Sequence, residues 1–160
     1  MNRISQELLA KLLDEHGPAL VLYARQWCDT PEDVVQEAFI SLLQQPRAID
    51  NVVAWLYRVV RNGAVTASRR NMRRRHHETS AAHRGEPWFD CPNGQAMDAQ
   101  LLIESMEGLP IEQRETVVAR LWGGLSWEEV AELTETSTST AHRRFQAAMS
   151  VLRERFPDDD

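Results

Sequence analysis

Lysine is almost missing from this sequence of 160 residues. Seventeen of its eighteen basic residues are arginine, and Lys11 is the exception. A lysine-based basic surface is therefore excluded. Arginine carries a planar fork of donors that holds a phosphate or a guanine edge at two points. The positions of the arginines along the chain therefore indicate where such contacts could form.

Cysteine is scarce too, and long apolar runs are missing. Cys28 and Cys91 have neither metal-ligand spacing nor a secretory context, so we expect two free thiols in a reducing compartment. No run of roughly 18 apolar residues is present, which argues against a membrane-spanning helix. The first residues lack the apolar core of a signal peptide. We therefore expect a cytoplasmic protein without membrane contact.

Motifs that carry catalysis are also missing. The sequence has no glycine-rich phosphate loop, no nucleophile elbow and no H-E-x-x-H. His76, His77, His83 and Cys91 offer zinc ligands in number, but they lie in a polar tract without the usual spacing of a zinc site. We expect a non-enzyme with no cofactor, no metal and no small-molecule substrate, and we keep a helical enzyme or metal protein as a minor alternative.

What the sequence does contain is a concentrated block of arginine. Eight arginines lie between Arg47 and Arg75, and Asp50 is the one acid among them, giving this block a net charge of +7 inside a chain of net charge −6. Like charges three or four residues apart on a helix repel by a few tenths of a kcal/mol, roughly, per pair. A polyanion relieves that repulsion, so the block indicates a nucleic-acid surface. The acidity of the whole chain argues against indiscriminate coating of nucleic acid.

Apolar spacing predicts an all-α fold, because no stretch alternates as a strand does. In the first half we expect helices over 4–15, over about 17–28 with a start at Gly17-Pro18, from Thr30-Pro31 to Pro46, and from Val52 onward. From about 76 to 95 the periodicity stops, which is a long stretch for a loop inside one domain. The sequence predicts two small helical domains, 1–75 and 96–156, joined by a flexible linker over 76–95.

The second half contains a recognisable helix-turn-helix pattern. We expect one helix to bury Ile111, Val117, Val118, Leu121 and Trp122 before Gly123-Gly124 ends it. Ser126 with Glu129 then forms a capping box ahead of a short helix. A polar turn from Thr134 to Ser137 and a longer amphipathic helix follow. Such a unit presents the start of its second helix to base edges in the major groove, although a simple helical hairpin has the same local pattern.

Two sets of motifs carry a family resemblance. Asp33-Val-Val-Gln-Glu-Ala-Phe39 is similar to the D-x-x-Q-E-x-F helix, and Ala54-Trp-Leu-Tyr-Arg-Val-Val-Arg-Asn62 to the A-W-L-x-x-x-x-x-N helix, of region 2 in the extracytoplasmic-function (ECF) sigma factors of bacterial RNA polymerase. Leu109-Pro110 with Gln113-Arg114-Glu115, Leu125 to Ala131, and Thr140 to Arg144 resemble region 4. The likeness covers about residues 15–75 and 97–155, and these factors are the smallest class of the sigma-70 family.

The resemblance implies roles for particular residues. Contacts with the polymerase clamp fall to Asp33, Gln36 and Glu37. Melting of the minus-ten element implies stacking platforms and phosphate or base contacts at Trp55, Tyr57, Arg58, Arg61, Asn62, Arg69 and Arg70; Trp55 is equally well read as a core residue. Reading of the minus-thirty-five element falls to the recognition helix, at Thr138, Ser139, Thr140, His142, Arg143 and Arg144.

The implied partners are the bacterial RNA polymerase core and promoter DNA, as duplex and as melted strand, and an anti-sigma factor stays open as a further partner. The chain departs from the family pattern at Thr66, where the family has Asp, at Glu135, where the turn has Gly, and at Ala141, where the recognition helix has Val or Ile. We expect strain or a different shape at Glu135. The alternative is a freestanding helix-turn-helix regulator that binds DNA without polymerase.

Overall fold

The computed structural model describes residues 4–75 and 103–155, and all regular structure in these two ranges is helical. The chain divides into two compact units, Met1–Pro87 and Trp88–Asp160. The predicted all-α fold with two small helical domains is confirmed. The linker predicted over 76–95, with its histidines, Cys91 and the Trp88-Phe89 pair, lies outside the described residues. The exact domain boundaries therefore stay predictions.

Within residues 4–75, three helices build the first unit. They are α1 (Gln6–Arg25), α2 (Pro31–Leu43) and α3 (Val52–Arg75), and each packs against the other two. Val35, Ala38, Phe39 and Leu42 of α2 are buried. The core is assembled from all three helices, and its fully buried members include Leu20, Tyr23, Ala38, Leu42, Leu56, Tyr57 and Val60.

Helix α1 runs unbroken through Gly17 and Pro18, so the predicted helix boundary at this pair is wrong. A proline inside a helix removes one hydrogen bond and costs about 3 kcal/mol or more. Immediately after Pro18, every residue from Ala19 to Ala24 is buried. Packing of this continuous segment against α2 and α3 outweighs the local preference of proline to end a helix.

Helix α2 begins as expected at Pro31, but Thr30 does not cap it. Thr30 occupies the N-cap position without a hydrogen bond from its side chain to the helix. It interacts with Cys28 instead: burial raises the pKa of the Cys28 thiol, and hydrogen bonding by Thr30 partly opposes that rise. The start of α2 therefore depends on the fixed φ of Pro31 and on Glu32 and Asp33 in the first turn.

Helix α3 buries one side completely. Leu56, Val60 and Ala64 have no exposed surface. A Cβ placed on Gly63 would lie 3.1 Å from Cγ1 of Val34, which shows how closely α3 approaches α2. Glycine at this position therefore allows α3 to approach α2 closely.

In the second unit, the last described helix packs against two of the helices before it. Residues 103–107 are helical, and α4 (Ile111–Val117) passes directly into a π-helical turn (Val118–Trp122). Helices α5 (Trp127–Thr134) and α6 (Thr138–Arg155) follow, and α6 packs on both α4 and α5. Val117 and Val118 are fully buried as predicted, but Leu121 is 53% exposed, so its predicted burial is wrong. The π turn adds a residue to each turn and moves Leu121 off the inner face.

A long-range hydrogen bond joins the two ends of this unit. Nη1 of Arg155 donates to the backbone oxygen of Ser105 at 2.8 Å. Basic side chains stabilise the carbonyl end of a helix in this way. A Cβ on Gly108 would lie 2.9 Å from Nη2 of Arg155, so glycine at this position leaves room for the guanidinium.

The buried hydroxyl of Tyr57 gives a test of the core. It has no hydrogen-bond partner, and burial raises the pKa of Tyr57. We expect Tyr57→Phe to raise the free energy of unfolding by about 1 kcal/mol, since it removes a buried polar group without a partner. Tyr57→Ala, the matched control, should lower it by about 3–5 kcal/mol. Urea unfolding measures both, and a loss of stability in Tyr57→Phe would contradict the assignment.

Candidate nucleic-acid interface

The exposed side of α3 carries the predicted nucleic-acid residues. Arg58, Asn62 and Arg69 are exposed and are spaced by four and seven residues, which aligns them along one side of the helix. Arg70 is also exposed, next to this row. The side chain of Asn51 caps the helix by accepting from the Ala54 amide at 3.1 Å. A rigid, capped helix thus presents a basic row to the solvent.

Arg61 differs from these residues because it lies over an aromatic ring. Its guanidinium carbon is 5.9 Å from the ring centre of Trp27, at the end of α1. Trp27 in turn meets Tyr23 edge to face at 4.9 Å, and Tyr23 meets Tyr57 at 5.0 Å. Trp27 therefore orients one of the predicted contacts. No short-range pattern signals this contact, since Trp27 lies in the turn after α1 and Arg61 lies on α3.

The structure corrects one predicted platform. Tyr57 has no exposed surface, so its ring is not available to stack on a base, and the reason is its packing against Tyr23. Trp55 is half-buried and keeps part of its ring at the surface. Thr66, at the position where the family has Asp, donates its hydroxyl to the Asn62 carbonyl at 2.8 Å within the same helix.

A second exposed surface follows α2. Asp33, Gln36 and Glu37 are all exposed. The same side of the helix continues to Ile40 and Leu43, which are 46% and 52% exposed although both are large and apolar. Sequence reasoning did not identify Leu43 as a surface residue. The spacing i, i+3, i+4, i+7 and i+10 from Asp33 is the signal that could have identified it.

The helix-turn-helix has the predicted cap and a strained turn. The Glu129 amide donates to Oγ of Ser126 at 3.2 Å, and the Ser126 amide to Oε2 of Glu129 at 3.3 Å. Glu135 then adopts the left-handed conformation, with φ 56° and ψ 42°. The Thr136 amide closes the turn on the Ala131 carbonyl at 2.9 Å. This is the conformation that glycine adopts without strain, so the strain expected at Glu135 is present.

Helix α6 exposes most of the side chains that were predicted to contact DNA. Ser137 caps it by accepting from the Thr140 amide at 3.1 Å, and its hydroxyl also bonds to that of Thr140 at 2.9 Å. Ala141 is completely buried and faces inward. Among the predicted contacts, Thr140 and Arg144 are half-buried, and the exposed ones are Thr138, Ser139, His142 and Arg143.

Trp127, the first residue of α5, packs against α6. The Trp127 ring meets His142 at 4.9 Å and Phe145 at 5.2 Å, both edge to face. The guanidinium of Arg120 lies 4.7 Å from the same ring centre and donates to the Leu125 carbonyl at 2.7 Å. His142 is therefore oriented by contacts from α5, which its own helix does not reveal.

The described residues contain neither a metal-binding cluster nor a membrane-spanning helix. Across 4–75 and 103–155, no three or more His, Cys, Asp or Glu side chains are grouped so that they could hold a metal ion. None of the helices in these ranges has the length and apolar character needed to cross a bilayer. The exposed groups that the sequence motifs single out are the basic row of α3, the side of α2 described above and the start of α6.

Comparison with protein families matches both halves of the chain. The model of sigma-70 region 2 matches residues 12–74. The model of sigma-70 region 4 matches residues 99–152. Together they span more than half of the chain. The chain belongs to the sigma-70 family. As an RNA polymerase sigma factor, it serves transcription initiation.

Individual relatives agree with this family. The sigma factor is 25% identical over 134 residues to the ECF RNA polymerase sigma-E factor of Haemophilus influenzae, covering 75% of this chain and 71% of that one. Its fold is similar to that of RpoE in complex with the anti-sigma factor NepR from Bartonella quintana, with TM-score 0.76, 23% identity and coverage of 98% and 100%. It is also similar to CnrH in complex with the cytosolic domain of CnrY, with TM-score 0.64, 22% identity and coverage of 98% and 92%.

The left-handed turn of this sigma factor is open to a direct test. We expect Glu135→Gly to raise the free energy of unfolding by about 0.5–1 kcal/mol, because glycine adopts positive φ without the clash of a Cβ. Glu135→Ala keeps the Cβ and should change stability by less than about 0.5 kcal/mol. Thermal unfolding of both variants measures the difference, and equal stabilities would show that the turn is unstrained.

Proposed function

We propose that this sigma factor binds the polymerase core through the exposed side of α2, holds the separated minus-ten strand on α3 and reads the minus-thirty-five element with α6. It acts in the cytoplasm as a specificity subunit and performs no catalysis of its own. The observation that carries the proposal is that three exposed surfaces of different chemistry project from separate helices, each helix being fixed by a buried opposite side.

The surface on α2 suits a protein partner. It combines carboxylates and an amide, at Asp33, Glu37 and Gln36, with the exposed apolar side chains of Ile40 and Leu43. Apolar groups bordered by charge are typical of interfaces between proteins, where the apolar part gives affinity and the charges give register. A nucleic acid would be repelled by Asp33 and Glu37, so polymerase is the better partner for this side.

The surface on α3 suits a separated DNA strand. Arginine side chains neutralise phosphates without reading sequence, and a half-exposed indole such as Trp55 gives a base a face to stack on. Arg61, oriented by Trp27, adds a charge whose direction is already set. Single strands are bound by this combination of basic groups and aromatic platforms.

The start of α6 suits duplex DNA. Ser139, His142 and Arg143 are exposed on the helix that follows the turn, as base-reading side chains are in helix-turn-helix proteins. Arginine pairs with guanine, and hydroxyls contact either base type. Trp127 and the Ser137 cap fix the orientation of this surface.

Reconstituted transcription tests the proposal as a whole. The purified chain, added to polymerase core, should start transcription at a genomic two-element promoter, and it should co-purify with core. A freestanding regulator would instead bind duplex DNA alone, and charge removal at Arg58 would leave that binding unchanged. Absence of any complex with core would overturn the proposal.

Variants of α2 should weaken core binding. We expect Glu37→Arg to lower the affinity for core by at least about tenfold, because a surface of core that complements Glu37 would repel an arginine. Ile40→Ala should also lower the affinity, because it removes apolar area buried in the complex. Asp14→Ala, an exposed acidic position on α1, is the matched control and should bind as the unchanged chain does. Competition binding with a labelled sigma factor measures all three. Equal affinities would place the core-binding surface elsewhere.

Variants of α3 should change the salt dependence of strand binding. The plot of log K against log salt has a negative slope. Arg69→Ala should make this slope less steep by about 0.7, because it removes one phosphate contact with the single strand. Arg153→Ala, an exposed arginine near the end of α6, should leave the slope unchanged. Fluorescence titration of holoenzyme with a single-stranded minus-ten oligonucleotide gives both slopes. If Arg69→Ala has the same slope as the unchanged chain, α3 does not contact the phosphates of the strand.

A further inference from the structure

His142 is the one histidine among the α6 side chains that would contact DNA. The other predicted contacts are neutral hydroxyls or arginines, and arginine keeps its charge at every pH at which a protein stays folded. Histidine is the residue type whose charge ordinarily changes between about pH 5 and pH 8. The charge that α6 presents to a duplex therefore depends on pH at this position.

The imidazole of His142 is exposed, but its orientation is restricted. Its ring centre lies 4.9 Å from that of Trp127, and the two ring planes are at 71° to each other. The Trp127 ring also packs against Phe145, about one turn further along α6, with 5.2 Å between the ring centres. Because the tryptophan limits the rotation of the imidazole, little conformational freedom is lost when this side chain binds a partner.

The helix around His142 carries positive charge. Arg143 and Arg144 follow it directly, and the first acidic residue of α6 is Glu154, roughly three turns further along. This end of α6 therefore has no carboxylate of its own that could pair with an imidazolium. A phosphate or a guanine edge of DNA would supply the missing acceptor.

The elements packed against His142 bring two carboxylates and one guanidinium near Trp127. Glu128 and Glu129 follow Trp127 on α5, where the carboxylate of Glu129 accepts from the N-cap amide at 3.3 Å and Glu128 is exposed. The guanidinium of Arg120 lies 4.7 Å from the centre of the Trp127 ring. Within the described ranges, the interaction of His142 is its ring contact, and no carboxylate forms an ion pair with it.

A duplex lying on α6 would favour the protonated imidazole. Its phosphates are negatively charged, and an opposite charge within about 4–6 Å favours the charged form of a titratable group. The imidazolium also donates from both ring nitrogens, whereas the neutral ring donates from one. When the protonated state binds more tightly than the neutral one, binding is coupled to the uptake of a proton.

We propose that His142 contacts the minus-thirty-five duplex in its protonated form, so that promoter binding by this sigma factor takes up a proton and weakens as the pH rises. The inference rests on the proposed function, because it needs α6 in contact with a duplex. The gain in affinity is fully present where the histidine of the free protein is already protonated. It is lost as the pH rises through the range in which the DNA-bound histidine gives up its proton.

Duplex binding at different pH values tests the inference. The full chain, bound to polymerase core, is titrated with a labelled duplex that carries the minus-thirty-five element of a promoter mapped by its transcript start. Fluorescence polarisation follows binding at constant ionic strength. We expect the affinity to fall by about 3- to 10-fold from about pH 6 to about pH 8, with at most one proton taken up.

Two variants separate the charge of this side chain from its presence. His142→Gln is neutral throughout, and it should bind with nearly the same affinity at every pH, close to that of the unchanged chain at about pH 8. His142→Arg is charged throughout and should also lose the dependence on pH. Unchanged melting temperatures would show that both variants are folded.

Arg143 and His16 provide matched controls. Arg143→Ala should weaken binding by the same factor at every pH, since arginine does not titrate in this range. His16→Gln, on α1 beside Glu15, should keep the pH dependence of the unchanged chain. The inference is wrong if the unchanged chain binds equally at every pH, if His142→Gln keeps the full pH dependence, or if affinity rises with pH. A complex with core that binds the duplex at no pH would overturn the proposed function, and this inference with it.

Discussion

Burial of one side of α3 between α1 and α2 is the constraint on which the rest of the first unit depends. Leu56, Tyr57, Val60 and Ala64 are all completely buried, and burial of large apolar side chains contributes roughly 1.5–3 kcal/mol each. The arginines on the opposite side repel one another. The apolar side therefore stabilises a helix that its own charges weaken, and it sets the direction in which those charges point.

In the second unit, short-range contacts hold the short helix α5 and the following helix α6 at a fixed angle. The capping box at Ser126 starts α5, the left-handed residue Glu135 ends it, and the Ser137 hydroxyl starts α6. Each element is local in sequence. Trp127 packs α5 against α6 through its ring contacts with His142 and Phe145. The exposed side chain of His142 is therefore held in place by its contact with Trp127.

Apolar spacing predicted most of the helices and inward-facing residues, because periodicity reports directly which side of a helix is buried. It failed at Gly17-Pro18, where packing overrides a local signal, and at Leu121, where a π turn alters the period itself. Tyr57 could not be placed from the sequence, since the decision is made by its contact with Tyr23 on another helix. Contacts such as that between Trp27 and Arg61 need coordinates for the same reason.

The bond from Arg155 to Ser105 sets a practical limit on dissection of the protein. It spans fifty positions of the chain and ties the first described turn of the second unit to its last helix. A fragment cut before Arg155 would return the Ser105 carbonyl to water, and any side chain at Gly108 would displace the guanidinium from the other direction. A fragment of the second unit that keeps this contact must therefore extend through Arg155.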